Sequence, residues 1–416
     1  MNGALTQLTI QEQLGADGAE GRVFRAETPS KSQYAVKIYF DDYRAPRTEL
    51  LFKKLHLMML AQHTFAKSEE PRFAWPLATV HLGTSSADLK QEKFVGFAMP
   101  LLPKMREFYS LIKRARQHKV PTLTQRIALA FFVAKGFRML HAGVTVTPPT
   151  GGSTRISFAV GDVNDSNIRA TEANVICFFD CDSYILHLSK ESFGHWTTTE
   201  AYSSPEFLAS PAREKYTRSA KDDDFGLAVL IFRLLNDWQL PYAYDGAGGS
   251  TKTRLILEGR FPYGRTSKDQ VLPAAKGALQ DYQSATHDRI KELFEQAFAK
   301  DRRRPSSADW VGGLQMYLLS RSDLRTRPQP VAPPPPPTAK PLSPPSTGPT
   351  VSVASPVGRA SPGPRSVNIP PPNIAGPQVI VRQPAGGKHN SNRAWLTFMT
   401  IALVLLGLVA IYSLAR

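Results

Sequence analysis

Two short stretches hold the residues best suited to handling a phosphate. In the first, Leu14-Gly15-Ala16-Asp17-Gly18-Ala19-Glu20-Gly21-Arg22-Val23 lies between two strand-like runs. Glycines at 15, 18 and 21 let a backbone close over phosphate oxygens with no side chain intervening, although a glycine-rich hairpin reads the same way. Further on, Ala35-Val36-Lys37 sets a lysine inside an apolar strand. A buried ammonium needs an anionic partner there, and either a carboxylate or a nucleotide phosphate would serve. In the second stretch, Gly161-Asp162-Val163-Asn164-Asp165-Ser166-Asn167-Ile168 precedes an apolar run from Val175 to Phe179 that ends in Asp180-Cys181-Asp182.

The elements that must position these groups change character along the chain. Up to about residue 105, short β-type runs dominate (Leu8 to Leu14, Arg22 to Ala26, Tyr34 to Tyr39, Phe94 to Met99), with a helical stretch near Thr48 to Leu60. Beyond it the periodicity is mostly helical: Leu123 to Leu140 and Phe225 to Leu235 carry apolar residues at helix spacing, and the second run is almost wholly apolar. A small β-rich part followed by a larger helical part implies a cleft between them, where ligands bind.

In this order the motifs resemble the protein kinase family, in the diverged form found among bacterial kinase-like proteins. The family's catalytic loop places its aspartate five residues before a metal-binding asparagine, as Asp162 and Asn167 stand, and the next strand delivers a second metal ligand, matched by Asp180. The resemblance implies an α+β, two-lobed fold, with an N-terminal lobe over about 1–102 and a helical lobe over about 103–320. It also implies transfer of the γ-phosphoryl of ATP to protein Ser/Thr hydroxyls, with Mg²⁺. Asp162 would orient the hydroxyl and accept its proton, and Asn167 and Asp180 would hold metal. Lys37 would steady the α- and β-phosphates under a lid of Gly15, Gly18, Gly21 and Val23, while Ala35, Met99 and Leu101 would border the adenine. Glu49, in Arg47-Thr48-Glu49-Leu50-Leu51-Phe52, is the expected partner of Lys37. Ser204-Pro205-Glu206 resembles the close of the activation segment, Asp223-Asp224-Phe225-Gly226 the start of the buried helix, and Arg304-Pro305 the late arginine. Glu206 and Arg304 would then pair, and Asp223 would brace the catalytic loop.

The pattern also breaks. Val160-Gly161 replaces the His-Arg before the catalytic aspartate, which removes the usual dock for a phosphorylated loop residue. Asn164 stands where Ser/Thr-specific members carry a lysine, and Asp182 replaces a glycine; it reads as a solvated turn residue or an extra metal ligand. An insertion from Val144 to Phe158, centred on Pro148-Pro149-Thr150-Gly151-Gly152, reads as an exposed loop. These departures leave two rivals to an active protein kinase: a nucleotide-binding pseudokinase scaffold and a small-molecule kinase.

Much of the chain's 34-proline content falls between Thr326 and Pro384, so 321–393 reads as a disordered, basic linker and a possible strip for proline-recognition domains. Its basic residues, with no acidic one beyond Leu324, suit an anionic membrane surface better than nucleic acid, although the whole chain carries a formal charge of +16. Residues 394–415 contain no charged side chain and are long enough to cross a bilayer core of about 30 Å, with Trp395 and Tyr412 near the ends. The expectation is a single-pass, C-terminal anchor in the cell membrane, a kinase domain in the cytoplasm, and protein substrates close to the bilayer. Cys177 and Cys181 offer no disulfide framework.

Overall fold

Strand β3 (Gln33–Tyr39) alternates its side chains between two cores, and that alternation decides where Lys37 points. Val36 joins Leu8, Ala26, Ala78, Val80, Val95 and Ala98 in one small buried cluster. Ala35 and Tyr39, with Phe97 and Met99, belong to the other, larger core. Lys37 shares the parity of 35 and 39 and so is turned toward the bulk of the protein.

The computed structural model describes residues 5–83, 91–118, 121–147, 151–189, 191–194, 199–243, 249–264, 277–299, 303–321 and 379–382. It is an α+β structure, β-rich at the N-terminus and mainly helical after it. With β1 (Leu5–Gln13), β2 (Gly21–Glu27), β4 (Arg72–Phe73), β5 (Ala78–Leu82), β6 (Phe94–Pro100) and β7 (Met105–Arg106) in sequence order, the N-terminal sheet closes into a barrel of order β1-β14-β5-β6-β3-β2. The sixth strand, β14 (Val379–Arg382), comes from the stretch expected to be disordered linker. It runs antiparallel to β1 and β5, pairing Leu5 with Arg382 and Leu82 with Val379. Val379-Ile380-Val381 is β-branched throughout, a preference that a proline-rich context hides. Among the described residues no helix is long and apolar enough to cross a membrane; the expected span at 394–415, like the rest of the linker, lies outside them.

Helices α1 (Asp41–Arg44), α2 (Thr48–Leu60) and α3 (Gln62–Phe65) follow β3, and α4 (Phe108–His118) and α5 (Leu123–Ala142) follow β7. The chain then forms two small sheets. The Val144–Phe158 insertion is not a loop but largely a hairpin, β8 (Val144–Val146) with β9 (Thr154–Ala159), extended by β12 (Ile185–His187) and β13 (Ser192–Phe193). The alternation of buried Ile156 and Phe158 with less buried Arg155 and Ser157 supplies the strand signal. The other sheet, of order β4-β11-β10-β7, contains the hairpin of β10 (Ile168–Thr171) and β11 (Ile176–Phe178), with Ile168 opposite Phe178.

The remaining helices are α6 (Pro205–Ala209), α7 (Ala220–Leu235), α8 (Gly249–Glu258), α9 (Ala278–Ala285), α10 (Asp288–Phe298) and α11 (Ser307–Ser320). The start of α7 is fixed by a capping box between Ser219 and Asp222, and nearly every residue beyond that is buried against α5 and α10. Each fully buried Leu, Ile or Phe contributes roughly 1.5–3 kcal/mol, so this helix is a rigid floor under the loop at 160–167.

Candidate active site

The β10–β11 hairpin sets two of the sequence-identified groups side by side. Asn167 precedes β10 and its carbonyl accepts from Phe179 N at 2.8 Å, one residue before Asp180. Asp180 takes a left-handed conformation (φ 51°, ψ 37°), which ends the strand and starts a 3-10 turn over Cys181–Ser183. The turn presents Asp180 and Asp182 together toward β3.

Lys37 is the point of convergence. Its Nζ donates to Glu20 Oε2, Asp180 Oδ1 and Asp182 Oδ2, each at 2.8 Å, which uses all three ammonium donors. Burial alone would push this ammonium down, but Asp182, Asp180 and Glu20 hold it well above the usual lysine range. Asp182 also accepts from Tyr39 Oη at 2.8 Å, and its backbone carbonyl accepts from Lys54 Nζ at 2.6 Å. Burial pushes the Asp182 carboxyl up to about 6 and the Lys54 ammonium down to about 8. Carboxylate oxygens of Glu20, Asp180 and Asp182 lie within 4.8 Å of one another, a donor set suited to a divalent cation.

Two expectations fail here. Glu49 is exposed in the first turn of α2, and Lys37 is paired with other groups; the inward face of α2 carries Leu51, Lys54, Leu55 and Met58. Asp182 is no solvated turn residue, since its side chain is only 2% exposed. The groups that sequence reasoning missed are Glu20, Tyr39 and Lys54. A lysine on the apolar stripe of an amphipathic helix was the available signal for Lys54.

The second half of the site is the loop before β10. Asn167 Nδ2 donates to Asp162 O at 3.2 Å and more weakly to Asp162 Oδ2 at 3.4 Å, and Thr199 Oγ1 donates to Asp162 Oδ1 at 3.2 Å. Asn164 serves the loop itself: its Oδ1 accepts from Ser166 N and Asn167 N, at 2.8 and 2.9 Å, and its Nδ2 donates to Asp162 O. Gly161 has φ +71°, a left-handed turn that favours glycine. Asp223 braces this turn by accepting from Val160 N and Gly161 N at 2.6 and 2.9 Å. Buried Arg218 donates to Gly161 O and lies over the Phe207 ring.

Above the lysine, the loop between β1 and β2 carries Gly15 and Gly18, and Gly21 opens β2. Gly15 is left-handed and exposed, and at Gly21 a Cβ would stand 2.2 Å from Ile38 O, so β2 and β3 approach too closely there for a side chain. Asp17 ties the loop together through Arg22 and Gln13. Val23 lies opposite Lys37, and buried Ala35 lies opposite buried Met99 on β6; Leu101 is half-buried just beyond that strand. The expected Glu206–Arg304 pair is present at 3.1 Å, with Arg304 over the Phe225 ring. Cys177 and Cys181 are both free and buried.

No family model matches the chain. Two curated proteins are similar to it: protein kinase YegI of Escherichia coli O157:H7, 26% identical over 259 residues, and protein kinase YegI of Escherichia coli strain K12, 26% identical over 257. Each comparison covers 58% of this chain, but only 36% and 35% of those proteins. The chain therefore matches little more than a third of the length of these relatives.

Proposed function

We propose that this chain, a diverged member of the protein kinase family, transfers the γ-phosphoryl group of ATP to Ser or Thr hydroxyls of proteins lying near a membrane. The single observation that carries the reading is the meeting of Lys37 with Asp180 at 2.8 Å, from positions far apart in the chain. Bound Mg·ATP would supply the phosphoryl group and the metal's neutralising charge. Asp180 and Asn167 offer the oxygens for that metal. Asp162, held by Asn167 and Thr199, is placed to orient a substrate hydroxyl and take its proton. Lys37 is the cation for the α- and β-phosphates, and the loop with Gly15, Gly18 and Gly21 covers them. The anchor is the apolar stretch 394–415, with the kinase domain in the cytoplasm and the proline-rich residues before it available to proline-recognition domains.

One observation favours a second reading, a nucleotide-binding scaffold. Asn164 is spent on holding its own loop, so no side chain at that position reaches toward a phosphate. Incubating the full chain with Mg²⁺ and labelled ATP, beside Asp162→Asn, separates the two. Catalysis predicts label on a generic or self substrate that falls by about 100-fold or more in the variant. Thermal stabilisation by Mg·ATP without label from either protein establishes the scaffold, and neither label nor stabilisation overturns both.

A further inference from the structure

Lys37 has three donors and all are taken, so a nucleotide phosphate can enter only by displacing a carboxylate. The three carboxylates are not held alike. Glu20 sits on the glycine loop, where it also accepts from Tyr43 Oη at 2.9 Å, and Asp180 is 37% exposed, as befits a group that faces a metal. Asp182 is fixed from three directions: by Lys37, by Tyr39 Oη, and through its carbonyl by Lys54.

In the kinase arrangement the strand lysine is paired by a glutamate on the helix that follows. Here that helix is α2, whose sole acidic residue, Glu49, is exposed. Its inward face offers a cation instead, and the carboxylate comes from position 182, where the family pattern has glycine. We propose that Asp182 is the residue that positions Lys37 for nucleotide phosphates and that Lys54 of α2 holds Asp182 in return, so that helix and turn have exchanged the signs of their charges. Glu20 is then the displaceable partner. This rests on the nucleotide-binding part of the reading above and deepens it.

Two further features support the exchange. Asp182 Oδ1 is buried with no hydrogen-bond partner, a state that carries a desolvation penalty and that packing alone would not retain. Further, three carboxylates converge on Lys37 with oxygens within 4.8 Å of one another, and Lys54 of α2 reaches the Asp182 carbonyl of the same cluster. The exchange also relocates control. A helix glutamate orders the strand lysine only when the helix swings inward, whereas Asp182 follows directly from Asp180 in one turn. Lys37 is thereby ordered by the turn itself, and α2 acts on it only through Lys54.

The test uses the full chain, with the Mg·ATP dissociation constant read by calorimetry and thermal unfolding monitored in parallel. Asp182→Asn keeps the shape and the acceptor for Tyr39 but removes the charge; it should weaken Mg·ATP binding by at least about tenfold, as loss of one partner of a buried charge pair does. Glu49→Gln should bind as the unaltered chain does. The double change Lys54→Glu with Asp182→Gly restores the helix carboxylate and should recover most of the affinity lost in Asp182→Gly alone, a rescue that a merely structural aspartate would not show. Should Asp182→Asn fail to fold, Lys54→Met reads the same pair and should weaken binding several-fold. Unchanged affinity in the folded Asp182 or Lys54 variants, or an equal loss in Glu49→Gln, overturns the proposal while leaving the kinase reading intact. Absence of Mg·ATP binding by the unaltered chain would remove both.

Discussion

Asp223 and Asp224 are neighbours at the start of α7, and both carboxylates reach across to other elements, with different consequences. Asp223 accepts from Val160 N, Gly161 N and His141, whereas Asp224 accepts from Ser307 N and has His141 Nδ1 at 3.7 Å. Burial pushes the Asp224 carboxyl up to about 7, with His141 opposing and Asp223 adding. A raised value in the folded state means that the folded chain binds the proton more tightly than the unfolded one. The associated stability is therefore complete below about pH 4 and is lost as pH rises through about 7. Asp224→Asn should stabilise the protein more at pH 8 than at pH 5, measured as the shift in urea midpoint at each pH; equal shifts would show that the carboxyl is not a source of this strain. Part of this arrangement was legible beforehand: Lys37 meets Asp180, and Asn167 meets Asp162, because their spacing is set by the loop and strands that carry them. The partner of Lys37 was not, because it depends on the rotation of α2 and the left-handed turn at Asp180, neither of which has a sequence period.

At the scale of elements, β3 is only as well placed as β6 allows. Gly96 lies opposite Ile38, and a Cβ there would stand 1.9 Å from Lys37 O. Gly96→Ala should push the strands apart at the residue that carries the ammonium, at a cost of about 1–3 kcal/mol, comparable to overpacking a core. A urea midpoint would read the loss, together with weaker Mg·ATP binding; a variant as stable as the parent would mean that the two strands are not so closely apposed. The sequence was most legible for elements with a strong period. Thr48–Leu60 forms the helix that its pattern announces, and Tyr34 to Tyr39 falls within β3. The failures were strands set in proline- and glycine-rich surroundings, β8, β9 and β14, where local composition outweighed a few alternating or β-branched residues.

For the whole molecule, β14 makes the N-terminal barrel depend on residues far down the chain. Residues 322–378 separate the end of α11 from β14 in sequence, and the cost of closing so long a separation grows only slowly, by about 0.6 kcal/mol per doubling. Cutting that stretch would turn an intramolecular contact with an effective concentration in the millimolar range into a bimolecular one. At micromolar protein, a single specific cleavage there should speed hydrogen exchange at the β1 and β5 amides and favour self-association through the exposed edges, with the helical part unaffected. Unchanged exchange after cleavage would show that the strand holds by its own affinity. The same topology fixes how the molecule bears a load. Tension on the chain beyond Arg382 first meets its pairings with Leu5 and Thr79, while β1 runs on from Leu5 to Gln13 before reaching the glycine loop, roughly 25 Å away at strand spacing. A pull from that side would peel β14 from Arg382 toward Val379, a mechanical fuse that gives way before the glycine loop is disturbed.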